Sequence, residues 1–144
     1  MIVQQILTSK GGMGVLTLAP EVPVSEAARF LSDKRIGAVV VSSDGTSAEG
    51  ILSERDIVRE LGRRGPSCLN QSVGEMMTAN PVTCGRSDSA DKVLGIMTDG
   101  RFRHLPVMDE GKMIGLISIG DVVKARLAQL AMEKDALEGM IKGH

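Results

Sequence analysis

Two copies of one short pattern carry the side chains best suited to chemistry, Ser53-x-x-Asp56 and Ser118-x-x-Asp121. A serine followed three residues later by an acid is close to the capping box, in which hydroxyl and carboxylate satisfy free N–H groups at a helix start. Each copy directly follows an apolar, strand-like run. That places it where a helix N-terminus offers N–H donors and a favourable field to a phosphate. A carboxylate there can also accept hydrogen bonds from both hydroxyls of a ribose, and capping and binding are compatible. Arg55 and Gly120 hold equivalent first-turn positions. A cation there opposes the helix dipole unless an anion balances it, and a glycine permits close backbone approach.

The strongest basic cluster is Arg101, Arg103 and His104, just before another apolar run. It reads either as a solvated strand start or as a set of phosphate contacts, for which arginine is well shaped. A half-protonated histidine would add pH sensitivity. The corresponding positions of the first copy hold Gly37 and Ala38, so two equal sites are not expected. The segment Lys10-Gly11-Gly12-Met13-Gly14 opens like a phosphate loop. That motif needs a second lysine and a Ser or Thr directly after the last glycine. Val15 and Leu16 stand there instead, which argues against a nucleotide hydrolase and for a flexible connector. Lys10 remains a candidate phosphate contact.

Composition removes several other functions. The 144 residues carry a formal net charge of −1, so no basic field draws in nucleic acid. Phe30 and Phe102 are the only aromatic side chains, too few for a base-stacking platform. Cys68 and Cys84 fall in no zinc or redox spacing and read as reduced thiols. No His/Cys/carboxylate cluster has metal-ligand spacing, and no nucleophile–base pair is evident, so no enzyme is expected. No apolar run has membrane-spanning length. The start lacks a basic region and long apolar stretch. The chain reads as cytoplasmic, with no membrane partner.

The elements that must position these residues repeat. A shift of 66 residues lays Thr17 on Thr83, Ile36 on Phe102 and Val41 on Val107. A shift of 65 lays Gly50 on Gly115, Ser53 on Ser118 and Asp56 on Asp121. The one-residue difference falls in a turn, where length changes are cheap. In the first unit the patterning predicts a helix over 25–34, strands over 37–42 and 49–53 around an Asp44-Gly45 turn, and a helix over 54–62. The second unit repeats this with a helix over 88–98, strands over 103–108 and 113–118 around Glu110-Gly111, and a helix from 119 to 141. Short helices over 3–7 and 72–77 lead into the two units, and 63–70 links them. Met76, Met77, Met97, Met108, Met113, Met132 and Met140 read as core or interface filler. In the last helix Val123, Leu127, Leu130, Leu137 and Ile141 fall at heptad spacing, interrupted by Lys134. They pack either on the unit's own sheet or against a second copy. Gly143 is placed to end the helix.

Gly50-Ile51-Leu52-Ser53-Glu54-Arg55-Asp56-Ile57-Val58 and Gly115-Leu116-Ile117-Ser118-Ile119-Gly120-Asp121-Val122-Val123 resemble the signatures of the tandem cystathionine-β-synthase (CBS) domain pair, or Bateman module. Arg101-Phe102-Arg103-His104-Leu105-Pro106-Val107 and Met76-Met77-Thr78 add to the resemblance, which covers nearly the whole chain and is most similar to stand-alone CBS pairs. It implies an α/β fold of two β-α-β-β-α repeats packed about a pseudo-twofold axis. The expected boundaries are 3–64 for the first repeat, 65–71 for a linker, 72–129 for the second repeat and 130–144 for a helical extension. The resemblance implies a homodimer and an adenosyl ligand: AMP first, with ATP, ADP, NAD(H) or S-adenosylmethionine as others. It also implies a regulated partner protein. One well-equipped site is expected on the second unit. There Asp121 holds the ribose, and Arg103, His104 and Ser118 hold the phosphate. The adenine lies by Val82 and Ile117, with Thr78, Thr83, Arg101 and Gly120 nearby. A divergent second site is expected on the first unit, from Ser53, Arg55, Asp56, Ile36, Gly37, Ala38 and Lys10. The competing function is a ligand-independent dimerisation and interaction module.

Overall fold

The computed structural model describes residues 1–11 and 14–141. Gly12 and Met13 of the glycine-rich connector, and Lys142, Gly143 and His144 at the end, lie outside the described residues. Mixed α/β structure is built on two sheets. The first has strand order β1-β2-β3-β4, from β1 (Thr17–Leu18), β2 (Ala38–Val41), β3 (Gly50–Ser53) and β4 (Thr78–Ala79). The second has order β5-β6-β7, from β5 (Cys84–Gly85), β6 (His104–Asp109) and β7 (Lys112–Ser118). In each sheet a two-residue strand runs parallel to the first strand of an antiparallel hairpin, with Thr17 beside Val40 and Cys84 beside Val107. These two-residue strands are too short to show periodicity. The hairpin strands are apolar and β-branched, and β2 is buried at all four positions.

The helices are α1 (Val3–Ser9), α2 (Val24–Lys34), α3 (Glu54–Arg64), α4 (Val73–Met76), α5 (Ala90–Gly100) and α6 (Ile119–Ile141), with a 3-10 turn at Pro66–Asn70. α2 and α5 each end on an arginine in left-handed conformation, Arg35 (φ 55) and Arg101 (φ 58). A position usually given to glycine is thus filled by arginine at the same point of both repeats. This is a shared feature of the fold rather than a device of one site.

The two cores exchange their lead-in helices. Val3, Ile6 and Leu7 of α1 pack with Cys84, Val93 and Ile117 of the second repeat. Val73 and Met76 of α4 pack with Val24, Leu31 and Leu52 of the first. Bridges at Ile2–Ser89 and Pro23–Ser72 mark the two crossings. Strand glycines open the space. A Cβ on Gly115 would lie 2.6 Å from Leu7 Cδ2, and one on Gly50 would lie 2.3 Å from Met77 Sδ.

Candidate functional site

Both Ser-x-x-Asp patterns form complete reciprocal caps. At α3 the backbone N–H of Asp56 donates to Ser53 Oγ (3.1 Å) and that of Ser53 donates to Asp56 Oδ2 (2.9 Å). At α6 the Asp121 N–H donates to Ser118 Oγ and the Ser118 N–H to Asp121 Oδ2, at the same two distances. The carboxylates are therefore fixed at the mouths of two helices, and each accepts a further hydrogen bond from a basic side chain, Arg59 on Asp56 and Lys10 on Asp121.

Those two mouths open into different clefts, of about 330 Å³ and about 350 Å³. Both lie in the size range of small-molecule sites. The first cleft joins Ser53, Arg55 and Asp56 of repeat one to Arg101, Arg103 and His104 of repeat two, with Thr78 and Val82 on its rim. The second joins Ser118 and Asp121 of repeat two to Lys10, Ile36 and Ala38 of the first half of the chain. Gly37, His104 and Ser118 border both. Each cleft thus takes its carboxylate from one repeat and its opposite wall from the other.

This corrects the grouping drawn from the sequence. Arg103 and Arg101 face Asp56, not Asp121, because the opposing repeat, and not the same hairpin, closes each cleft. Val82 and Thr78 belong with them. Lys10, Ile36 and Ala38 line the cleft of Asp121 instead, although Ala38 pairs with Ser53 across the β2–β3 hairpin. Ile117 has no exposed surface and sits in the second core, so its side chain cannot contact an adenine. Thr83 and Gly120 are exposed and outside the described lining of either cleft. The sequence reading had missed Arg59 in the first cleft and Val15 and Leu16 in the second. The 66-residue shift carries a signal for the last of these, since it lays Leu16 on Val82.

The clefts differ in charge. Arg55, Arg59, Arg101 and Arg103 line the first against Glu54 and Asp56. Arg59 Nη2 donates to Asp56 Oδ1 at 2.9 Å. Among the described residues Arg55, Arg101 and Arg103 take part in no ion pair. An excess of positive charge in a recess walled by Ile51 and Val82 favours an anion. In the second cleft Lys10 is already engaged. Its Nζ donates to Asp121 Oδ2 at 2.8 Å and to the Leu116 carbonyl at 2.9 Å. Burial pushes the Asp121 carboxyl up, but the hydrogen bonds from Lys10 and Ser118 prevail and hold it below its ordinary value. Burial, helped by Lys10 and Arg103, holds the His104 imidazole below its ordinary range against the pull of Asp121 and Glu54. His104 is therefore mainly neutral at pH 7, able to donate from one nitrogen and accept at the other. Among the described residues no group of three or more His, Cys, Asp or Glu side chains could hold a metal ion.

Comparison with known proteins agrees on the architecture. The family model described as CBS domain matches residues 3–63 and again 73–128. The CBS domain-containing protein CBSX3, mitochondrial, of Arabidopsis thaliana is 34% identical over 124 residues. These are 83% of this chain but 60% of the plant protein, so the chain spans about three-fifths of that relative's length. A CBS-domain containing protein from Agrobacterium tumefaciens superposes with a TM-score of 0.83 at 45% identity, covering 88% of this chain and 99% of the other. The plant protein CBSX2, solved in complex with AMP, superposes with a TM-score of 0.73 at 25% identity, over 88% of this chain and 96% of the other.

Proposed function

The chain belongs to the CBS-domain family, and we propose that it is a regulatory module that binds an adenine nucleotide in the cleft joining Asp56 to Arg103. AMP is the first candidate, with ADP, ATP and NAD(H) as related ligands. One observation carries the reading. A helix-mouth carboxylate suited to ribose and a cluster of free guanidiniums suited to phosphate line one cleft, each supplied by a different repeat. Asp56 accepts from the ribose hydroxyls. Arg103 and Arg101 take the phosphate oxygens, and Arg55 adds charge from the first turn of α3. Ile51 and Val82 offer apolar surface to the base. The AMP-bound plant relative supports an adenosyl ligand for this chain.

A ligand held by both repeats favours one relative placement of them, and a partner protein that distinguishes the placements reads the ligand state. The module forms a homodimer and turns nothing over. Two buried, unpaired thiols, Cys68 and Cys84, suit a reducing compartment such as the cytoplasm. Among the described residues no helix is long and apolar enough to cross a membrane. The second cleft, with Lys10 on its carboxylate and no arginine, is the weaker anion site.

The test is a thermal-shift panel of AMP, ADP, ATP, NAD⁺, NADH and S-adenosylmethionine. A ligand at 100 times its dissociation constant adds about 2.7 kcal/mol. Asp56→Ala and Arg103→Ala are expected to lose the shift, each measured against its own ligand-free midpoint because Asp56→Ala also weakens a cap. Asp121→Ala is expected to keep it. No shift with any ligand removes the sensor reading, and loss in Asp121→Ala alone moves the ligand to the other cleft.

A further inference from the structure

α6 runs through Ile141, whereas the second family match ends at residue 128. Only Val122 and Ala125 of this helix are buried. Leu127, Leu130, Leu137 and Ile141 are exposed by 63, 48, 58 and 78%, and Val123 by 44%. With Lys134 they follow one another at alternating steps of four and three residues. That is the a/d seam of a coiled coil, with Leu127, Lys134 and Ile141 at a and Val123, Leu130 and Leu137 at d. At about 100° per residue, this seam turns away from the face that carries Val122 and Ala125, so the helix's own core does not use it.

We infer that a second copy of this chain covers the seam, with the two α6 helices antiparallel. This rests on the homodimer proposed above and names its contact. Charge decides the direction. A parallel pair would stack Lys134 on Lys134 in the seam and set Glu133 against Glu138 on both flanks. An antiparallel pair sets Lys124 beside Glu138 twice along one flank and leaves one Glu133–Glu133 contact near the centre of the other. Its layers match Val123 with Ile141 and Leu127 with Leu137. Each Lys134 then faces Leu130, where its alkyl stem packs and its ammonium reaches the neighbouring glutamates.

The test uses the full chain with Leu127→Cys and Leu137→Cys made separately, tagged differently and mixed under thiol–disulfide exchange. Both native cysteines are buried, and burial together with Asp88 pushes the Cys84 thiol up to about 12, which keeps background exchange low. The 127–137 mixed disulfide is expected to dominate. A dominant 137–137 disulfide overturns the antiparallel arrangement. In that arrangement those positions lie about 15 Å apart along the axis, beyond disulfide reach. Sedimentation of Leu137→Glu supplies the second readout, with dimer dissociation strengthened at least about tenfold in Kd, or about 1.4 kcal/mol. If Leu137→Glu and wild type are equally dimeric, another face makes the dimer, and the inference fails while the homodimer stands. If wild type is a monomer, both fail.

Discussion

His104 borders both clefts, as do Gly37 and Ser118, and it is the titratable member of the three. Burial holds its pKa below the ordinary 6.5, with Lys10 and Arg103 acting in the same direction and Asp121 and Glu54 against it. The unfolded chain therefore binds this proton more readily than the folded one. Stability is full above about pH 6.5 and falls as pH drops below it, down to the depressed folded value. Asp121 acts in a separate window, because its lowered pKa gives stability that is lost only as pH falls below its ordinary 3.8. The expected outcome is a lower urea midpoint at pH 5.5 than at pH 7.5, with the difference reduced in His104→Gln; an unchanged difference in the variant assigns it elsewhere. The two helix-mouth carboxylates and the basic cluster were legible as residue types, because caps and arginine clusters are local in sequence. Their pairing was not. Arg103 directly precedes β6 and Ser118 ends β7 of the same hairpin, with His104 opposite Ser118, so a reading along the chain assigns them to one site. Which carboxylate faces Arg103 depends on the repeat across the cleft, and no local pattern records that.

At the scale of elements, helices and hairpin strands fell close to their expected places because 3.6-residue and alternating patterns persist over enough residues to be seen. α6 begins at the expected residue 119 and continues to Ile141, the last described residue. The strands β1, β4 and β5, at two residues each, were below that threshold. The lead-in helices were visible as helices, but their destination was not, since an apolar face does not name the core that receives it. Gly115 marks the contact. A Cβ there would meet Leu7 Cδ2 at 2.6 Å and Cδ1 at 2.9 Å, and Leu7 is buried in the second core. Gly115→Ala is expected to destabilise by about 1–3 kcal/mol through overpacking, and Leu7→Ala by about 2–5 kcal/mol through lost burial. In the double variant the alanine Cβ enters the space Leu7 vacates, so the combined loss is smaller than the two single losses together. Urea unfolding of the four proteins measures that coupling; strictly additive losses would show that α1 does not press on β7.

For the whole molecule, the exchange of lead-in helices means that neither sequence repeat is a physical unit. A fragment 1–71 carries Val3, Ile6 and Leu7 exposed, because their partners Val93 and Ile117 are absent, and it lacks Val73 and Met76 to cover Val24 and Leu52. A fragment 72–144 has the opposite deficits. A domain of this size is marginal even with its whole core, and each missing apolar side chain removes about 1.5–3 kcal/mol of burial. Neither fragment is therefore expected to show native near-ultraviolet or methyl NMR signals alone. Mixing them is expected to restore the spectrum of the intact chain, and calorimetry of that chain is expected to show one transition. An independently folded 1–71 would overturn the exchange as an energetic fact. The same coupling bears on regulation. A nucleotide that bridges Asp56 and Arg103 stabilises a junction through which both cores already depend on each other, so AMP is expected to raise the single transition as a whole rather than split it, and a split transition would show the repeats responding separately.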